Sequence, residues 1–395
     1  MQTIPNNARL RLSRIGVALI FAISGFLHAN WVGRLPRLQE MYDLNHAQLG
    51  LVLLAGSIGS LVAMPITGRI IILAGSHRIT RFSLLVFCLM TPLVPLFPSV
   101  WLLGFVLFLL GGITGSMDVA MNAQALLVER GLSKPVMASF HAIFSAGMML
   151  GAGCSALFNR LEVSLVWHLF IVTLPALLAA LWAISQLIPE ERTEQPVLVK
   201  GERNVLAHPP LVMLGLIAFC CMLGEGAMAD WTTNYLEKVS GGGRYWSPFG
   251  LVAFAMAMMT GRFLGDKARQ RFGDPQLLKV GGWVAAFGMA LSLLIPHVAV
   301  GITGFFMVGL GLSTIVPVVY STAGNMPGLP SGVGISMVTT IGYAGFLIGP
   351  PLIGFISEWL GLRTGMGTVL ALFLVMIALN GLNSRRVAPL KDSAL

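Results

Sequence analysis

The chain alternates long apolar runs with short polar breaks. Crossing a hydrocarbon core takes about 20 apolar residues in a helix, and runs of that kind recur twelve times. They fall at about 14–35, 47–73, 80–97, 100–127, 136–158, 165–188, 210–236, 247–265, 277–296, 298–321, 331–357 and 364–384. Each predicts a transmembrane helix. Glycine and proline inside the runs do not argue against this, because neighbouring helices satisfy the backbone groups they free.

The pattern also repeats at a shift of about 200 residues. Asn30-Trp31, a polar bend and Gly50-Leu51-Val52 return as Asp230-Trp231, a second bend and Gly250-Leu251-Val252. Gly68-Arg69 returns as Gly261-Arg262, while Gly147 and Gly151 return as Gly345 and Gly349. Repeats of this size, with binding at the interface between halves, are a transporter architecture. The expected fold is an all-α membrane protein of twelve transmembrane helices in two pseudo-symmetric six-helix bundles. Residues 1–188 and 210–395 form the halves, and the polar stretch 189–209 is the linker.

Composition agrees: 10% of the 395 residues are charged and 56% are hydrophobic, against about 25% charged in a soluble domain. The net charge of +9 does not point to nucleic acid, because the basic residues sit at the ends of apolar runs. With twelve spans both termini share one side. That side carries Lys and Arg in every loop, 19 of the 25, and the other side carries Arg34, Arg37, Arg160, Lys238, Arg244 and Arg363. The positive-inside rule puts both termini in the cytoplasm, in keeping with a multi-pass protein of a bacterial inner membrane. Trp101, Trp167, Trp246 and Trp359 mark the opposite interface. The four cysteines lie in apolar runs without metal-ligand spacing and read as packing residues. The start of the chain, basic and then apolar with no small-residue cleavage site, reads as a retained span.

Three acids lie deep in spans: Asp118, Glu225 and Asp230. Ionisable residues are costly there and usually face a cavity or a partner. Thr114, Asp118 and Asn122 share one helix face, a polar stripe suited to binding hydroxyls, or equally to a structural hydrogen bond. Asp118 lies about 25 Å along its span from Trp101, at a depth His141 reaches from the next span, so the two are a candidate proton-sensitive pair. Glu225 is placed in the central cavity, where a desolvated carboxylate can carry a proton. Asp230, five residues on and about 140° round the helix, is assigned instead to a gating pair with His28 or Arg34, which occupy the matching region of the first half with Asn30 and Trp31. Trp31 and Trp231 either pack or stack on a sugar-like ring. Tyr320, Asn325, Thr339, Thr340 and Tyr343 are uncharged cavity candidates.

Gly261-Arg262-Phe263-Leu264-Gly265-Asp266-Lys267, running on to Arg271-Phe272-Gly273, resembles the cytoplasmic loop motif of the major facilitator superfamily. The copy at Gly68-Arg69 lacks the acidic residue. The strings DVAMNAQ (118–124), SFHAIFSAG (139–147) and EGAMADW (225–231) resemble a group of rhizopine-permease-like bacterial permeases, with fucose-type sugar permeases as distant relatives. The resemblance covers nearly the whole chain. It implies a monomer whose spans 1, 4, 7 and 10 line a cavity, and it implies for Asp118 the coupling and sugar-binding role of the fucose-type carboxylate. Arg262 and Asp266 are expected to stabilise the cytoplasmic face by ion pairing, without touching substrate, and Arg69 is counted with them at the cytoplasmic gate.

The expected function is alternating-access transport of a small polar organic solute, sugar- or polyol-like, driven by the proton gradient without any cofactor. The expected partners are the solute and the lipid bilayer. Met (21) and Phe (22) are abundant, which keeps a proton-driven exporter of hydrophobic or cationic compounds as the alternative. No activated nucleophile, metal-ligand cluster or phosphate loop argues for an enzyme; Gly241-Gly242-Gly243 lacks the context of a phosphate loop.

Overall fold

The computed structural model describes residues 7–134, 136–189, 209–326 and 331–387. Its helices are α1 (Asn7–Val32), α2 (Leu35–Met41), α3 (His46–Ala74), α4 (Ser76–Met90, continued by a 3₁₀ turn over Thr91–Leu96), α5 (Val100–Leu132), α6 (Met137–Arg160), α7 (Leu165–Ser185), α8 (Pro209–Lys238), α9 (Gly243–Trp246), α10 (Phe249–Phe272), α11 (Asp274–Leu294), α12 (Val298–Leu312), α13 (Ile315–Gly324), α14 (Ser331–Leu360) and α15 (Leu362–Val387). Among the described residues, twelve spans are long and apolar enough to cross a membrane. The eighth combines α9 with α10, and the tenth combines α12 with α13. The expected linker lies, but for its end residues, outside the described residues.

Short polar signals set the helix ends. Asn45 caps α3 through a reciprocal box with Gln48, at 2.8 and 3.0 Å. Ser99 and Ser164 cap α5 and α7. The start of α6 has no capping side chain of its own. The Glu129 carboxylate reaches across from α5 and accepts from the Val136 and Met137 amides at 2.8 and 2.9 Å, where a helix N-terminus favours negative charge.

Within each half the spans pack through small residues, as membrane helices do when lipid offers no hydrophobic drive for association. At Gly59 an added Cβ would stand 1.9 Å from the Phe108 carbonyl oxygen of α5, and at Gly147 2.2 Å from that of Ala22 in α1. The second half repeats this where Gly345 of α14 meets Phe219 of α8 at 2.5 Å. Gln124, fully buried, ties α5 to Ser76 at the start of α4 (2.7 Å) and to both backbone groups of Ile188.

The halves meet along α3 against α14 and α6 against α10. On the side opposite the termini they are closed. Arg37 of α2 forms an ion pair with Glu237 of α8 and another with Glu40 of its own helix. Lys238 donates to Gln39 at 2.6 Å, and the His46 amide donates to Glu358 at 3.0 Å. Beneath these bonds Gly50 abuts Pro350, its hypothetical Cβ 2.6 Å from the carbonyl oxygen. Neither α2 nor α9 was expected from hydropathy, because both are too short and too polar to register as spans.

Candidate functional site

A cavity of about 700 Å³ lies between the halves. Its lining extends from His28, Trp31 and Asp230 to Met137, Gly265 and Arg269 toward the side of the termini. α1, α5, α8 and α13 contribute Trp31, Asp118, Glu225 and Tyr320, so spans 1, 4, 7 and 10 do line it.

Asp118 is held from two sides. Asn122, one turn on, donates to its Oδ1 at 3.1 Å and to its backbone carbonyl at 2.8 Å. Tyr343 of α14 donates its hydroxyl to Oδ2 at 3.2 Å, bridging the halves. The expected stripe is therefore divided: Thr114 and Asp118 line the cavity, while Asn122 orients the carboxylate. His141 also lines the cavity but does not pair with Asp118. Its ring stands edge-on to Phe21, with centroids 5.4 Å apart, and the charge of Arg262 acts on it.

Glu225 faces the cavity and meets Arg262 of α10, Nη2 to Oε2, at 3.4 Å. The other terminal nitrogen of Arg262 donates to Ser145 of α6 at 2.9 Å, across the interface. Arg262 was expected in an ion pair at the gate; it lines the cavity instead, because its side chain turns inward along α10. The Asp266 side chain lies outside the described residues. Arg69 is exposed and forms no ion pair among the described residues. Arg269 does make a fork, to both oxygens of Asp274 at 2.5 and 2.7 Å, and adds Ser321 at 2.7 Å.

The deep end departs from its expected pairing. Asp230 lines the cavity with no hydrogen-bond or ion-pair partner among the described residues. His28 packs its ring edge-on against Trp31 at 5.7 Å. Arg34 is engaged elsewhere, donating to the Val163 carbonyl at 2.8 Å and facing His168 Nδ1 at 3.5 Å. Burial and the neighbouring charges of Arg37 and Arg244 bring the Arg34 guanidinium down to about 10. Desolvation lowers Arg37 as well, and Glu40 partly offsets it.

The repeat breaks at its own signature. Asn30 is fully buried and bound to His168 Nε2 (2.8 Å) and the Phe26 carbonyl (2.8 Å), away from the cavity that Asp230 lines. Trp31 lines the cavity, whereas Trp231 is wholly buried against His46 at 6.1 Å. Tyr320 joins Tyr343 in the lining, but Asn325 and Thr340 bond to their own helices away from it. Ser145 and His168 were not anticipated: nothing separates a lone serine or histidine in an apolar run from a packing residue.

Twelve spans in two bundles, closed at one end around a mostly apolar cavity into which a few charged side chains project, define a membrane transporter of the secondary type. The profile of the Major Facilitator Superfamily matches residues 15–333, and the chain belongs to that family. It is 32% identical over 365 residues to an uncharacterised MFS-type transporter of Yersinia pestis, covering 92% of this chain and 94% of that one. It is 31% identical over 378 residues to the membrane protein MosC of Rhizobium meliloti, covering 95% and 91% respectively. Among solved structures, a variant of the nucleoside transporter NupG superposes with TM-score 0.77 at 9% identity, over 94% of this chain and 99% of its own. A bacterial homologue of the human lysosomal transporter Spinster, inward-facing and unoccupied, gives TM-score 0.72 at 16% identity, over 96% and 98%. These two likenesses concern the fold.

Proposed function

We propose that the protein moves a small polar organic solute, sugar- or polyol-like, across a bacterial inner membrane by alternating access, coupled to the proton gradient. The observation that carries this reading is the Asp118 carboxylate, oriented by Asn122 and reached by Tyr343 from the other half inside the cavity. Such a group binds a hydroxyl or a proton, and its state is felt by both halves. A ligand shifts an alternating equilibrium only through a difference in affinity between its states, and a contact across the interface supplies one. The excess of basic residues on the side of the termini supports a cytoplasmic position for both; in that orientation the closed face looks outward and the cavity is entered from inside. The unit is a monomer, with no cofactor beyond the gradient. Thr114, Asp118, Glu225 and Tyr343 are the expected solute and proton contacts, with His28, His141, Trp31 and Asp230 further along the wall.

The test is ligand-dependent proton movement in proteoliposomes across a panel of sugars and polyols, in wild type and Asp118→Asn. A pH change in wild type that is absent in the variant supports coupling through Asp118. Solute flux without proton movement removes the coupling and leaves the transporter.

One observation favours the exporter reading. Methionines, among them Met64, Met121, Met148 and Met258, line the cavity, and Asp230 faces it without a partner among the described residues. Adaptable thioethers around a carboxylate suit lipophilic cations. Competition by such cations, with no response to sugars, would favour export.

A further inference from the structure

The loosest charge pair in the cavity belongs to Arg262. A well-made guanidinium–carboxylate contact lies at about 2.7–2.9 Å and is often bidentate. Arg269, the other cavity-lining cation among the described residues, shows that form with Asp274 at 2.5 and 2.7 Å. Arg262 instead divides its terminal nitrogens between the Ser145 hydroxyl at 2.9 Å and a single Glu225 oxygen at 3.4 Å. All three side chains face the cavity. A planar cation and a hydroxyl from opposite halves, with a weakly held carboxylate beside them, form a site an incoming carboxylate can take over.

We propose that Arg262, joined by the Ser145 hydroxyl as it turns from the His141 carbonyl to which it now donates at 3.2 Å, binds a carboxylate group of the transported solute, a hydroxylated organic monoanion, and that Glu225 accepts a proton as the solute displaces it from Arg262. The inference rests on the transporter reading above and specifies the charge of the solute. The solute's oxygens accept hydrogen bonds from the Arg262 nitrogens, the Glu225 contact breaks, and a proton moves onto the freed Glu225 oxygen. The site holds one cation and one carboxylate before binding. Afterwards it holds one cation, one bound anion and one neutral acid. Its net charge is unchanged, so the translocated unit is one anion with one proton. Without the proton, two carboxylates would face one guanidinium in a poorly solvated cavity, where an unpaired charge is expensive.

The other titratable groups around Glu225 are Cys221 on its own helix, with Sγ 3.8 Å from Oε1, Tyr320 of α13 and Tyr343 of α14. His141 of α6 faces Arg262 from the other half. None of them replaces Arg262 as a counter-charge for a solute anion.

The experiment measures binding to the purified full-length protein by tryptophan fluorescence, using Trp31 in the wall. The probes are D-gluconate and D-glucuronate, with D-glucitol and D-glucose as neutral counterparts, between pH 5.5 and 7.5. The acids are expected to bind and the neutral compounds to bind weakly or not at all. The affinity for D-gluconate should fall by up to about tenfold per pH unit as pH rises, since one proton enters with the anion. Glu225→Gln should keep D-gluconate binding and flatten its pH dependence. Arg262→Gln should lose binding while remaining monodisperse, and Arg262→Lys should keep a weaker form. In proteoliposomes D-gluconate uptake should follow a pH gradient and ignore an imposed potassium-diffusion potential. Binding of D-glucitol without D-gluconate would overturn this inference and leave the transporter reading standing. D-gluconate binding that is independent of pH and unchanged in Glu225→Gln would overturn the proton step. If no probe binds or moves, both readings fall.

Discussion

The Tyr343 hydroxyl donates to Asp118 Oδ2 at 3.2 Å, joining the eleventh span to the fourth across the interface between the halves. An ordinary hydrogen bond to a charged group contributes about 1.5–3 kcal/mol, and this one is long. Its removal in Tyr343→Phe should therefore cost modestly, raising KM for the transported solute by roughly threefold to tenfold with little change in protein yield. Asp118→Asn leaves an amide that still accepts from Tyr343 but cannot exchange a proton: binding should persist, and loss of ligand-driven proton movement here, with Glu225→Gln unaffected, would assign the coupled proton to Asp118 rather than to Glu225. Parallel flux and pH measurements in proteoliposomes separate the two variants. Equal loss of both signals in both variants would contradict the assignment.

The closed outer face makes a second prediction. Arg37 is almost fully buried and depends on Glu237 and Glu40 for counter-charge. Breaking a buried pair by removing one partner costs about 3–5 kcal/mol when the charge stays buried. Opening that face hydrates Arg37 and relieves the cost, so Glu237→Gln should shift the population toward an outward-open state. Gly50→Val should act in the same direction by a different route, since its Cβ would stand 2.6 Å from the Pro350 oxygen. A cysteine introduced at the cavity-lining Ser57 reports the shift: an impermeant thiol reagent applied to the face opposite the termini should label it several times faster in either variant.

Hydropathy and charge were enough to read twelve spans, the repeat and the acids of the cavity, because crossing a bilayer imposes a length and burying a charge imposes a purpose. Side-chain direction was less accessible. Asn30 and Asp230 occupy equivalent positions in the repeat, yet one is locked against His168 and the other faces the cavity. Arg262 sits in a loop motif read as a gate, but its long side chain reaches back to Glu225. The ion pair of Arg37 with Glu237 joins residues 200 apart and depends on α2, a seven-residue helix that hydropathy does not detect. Local pattern carries period and burial. It does not carry which of several rotamers a long or polar side chain adopts between two bundles.

Arg34 supplies a test of pH dependence. Its group is held at about 10, chiefly by burial, below the ordinary arginine value. Between those values the folded chain binds fewer protons than the unfolded chain, so stability rises with pH through that window. Below about 10 both states are protonated, and the burial cost is present in full and constant. Arg34 therefore contributes no slope between pH 5 and 9. Arg34→Lys should lower the thermal midpoint, because an ammonium cannot reproduce the contacts to both Val163 and His168, yet leave the shape of the transport–pH profile unchanged. A profile displaced by this substitution would place Arg34 among the coupling groups.

The last prediction separates scaffold from site at Asn30. Its amide nitrogen donates to the Phe26 carbonyl and its oxygen faces His168 Nε2, each at 2.8 Å. His168 Nδ1 faces the Arg34 guanidinium at 3.5 Å. Since the guanidinium only donates, Nδ1 must accept, so the proton sits on Nε2 and is donated to Asn30. The chain Arg34, His168, Asn30 and Phe26 is thus directional, and it ties α1 to α7 inside the first half. Asn30→Ala leaves the buried His168 N–H without an acceptor, at a cost of about 1–3 kcal/mol. For a polytopic protein this should appear as a lower unfolding temperature in detergent, while KM for the solute stays within about twofold of wild type because Asn30 does not face the cavity. Asn30→Asp keeps an acceptor and should recover part of the lost stability, despite the added charge, through its proximity to Arg34. An unchanged unfolding temperature together with a large rise in KM for Asn30→Ala would return Asn30 to the binding site and contradict the geometry described.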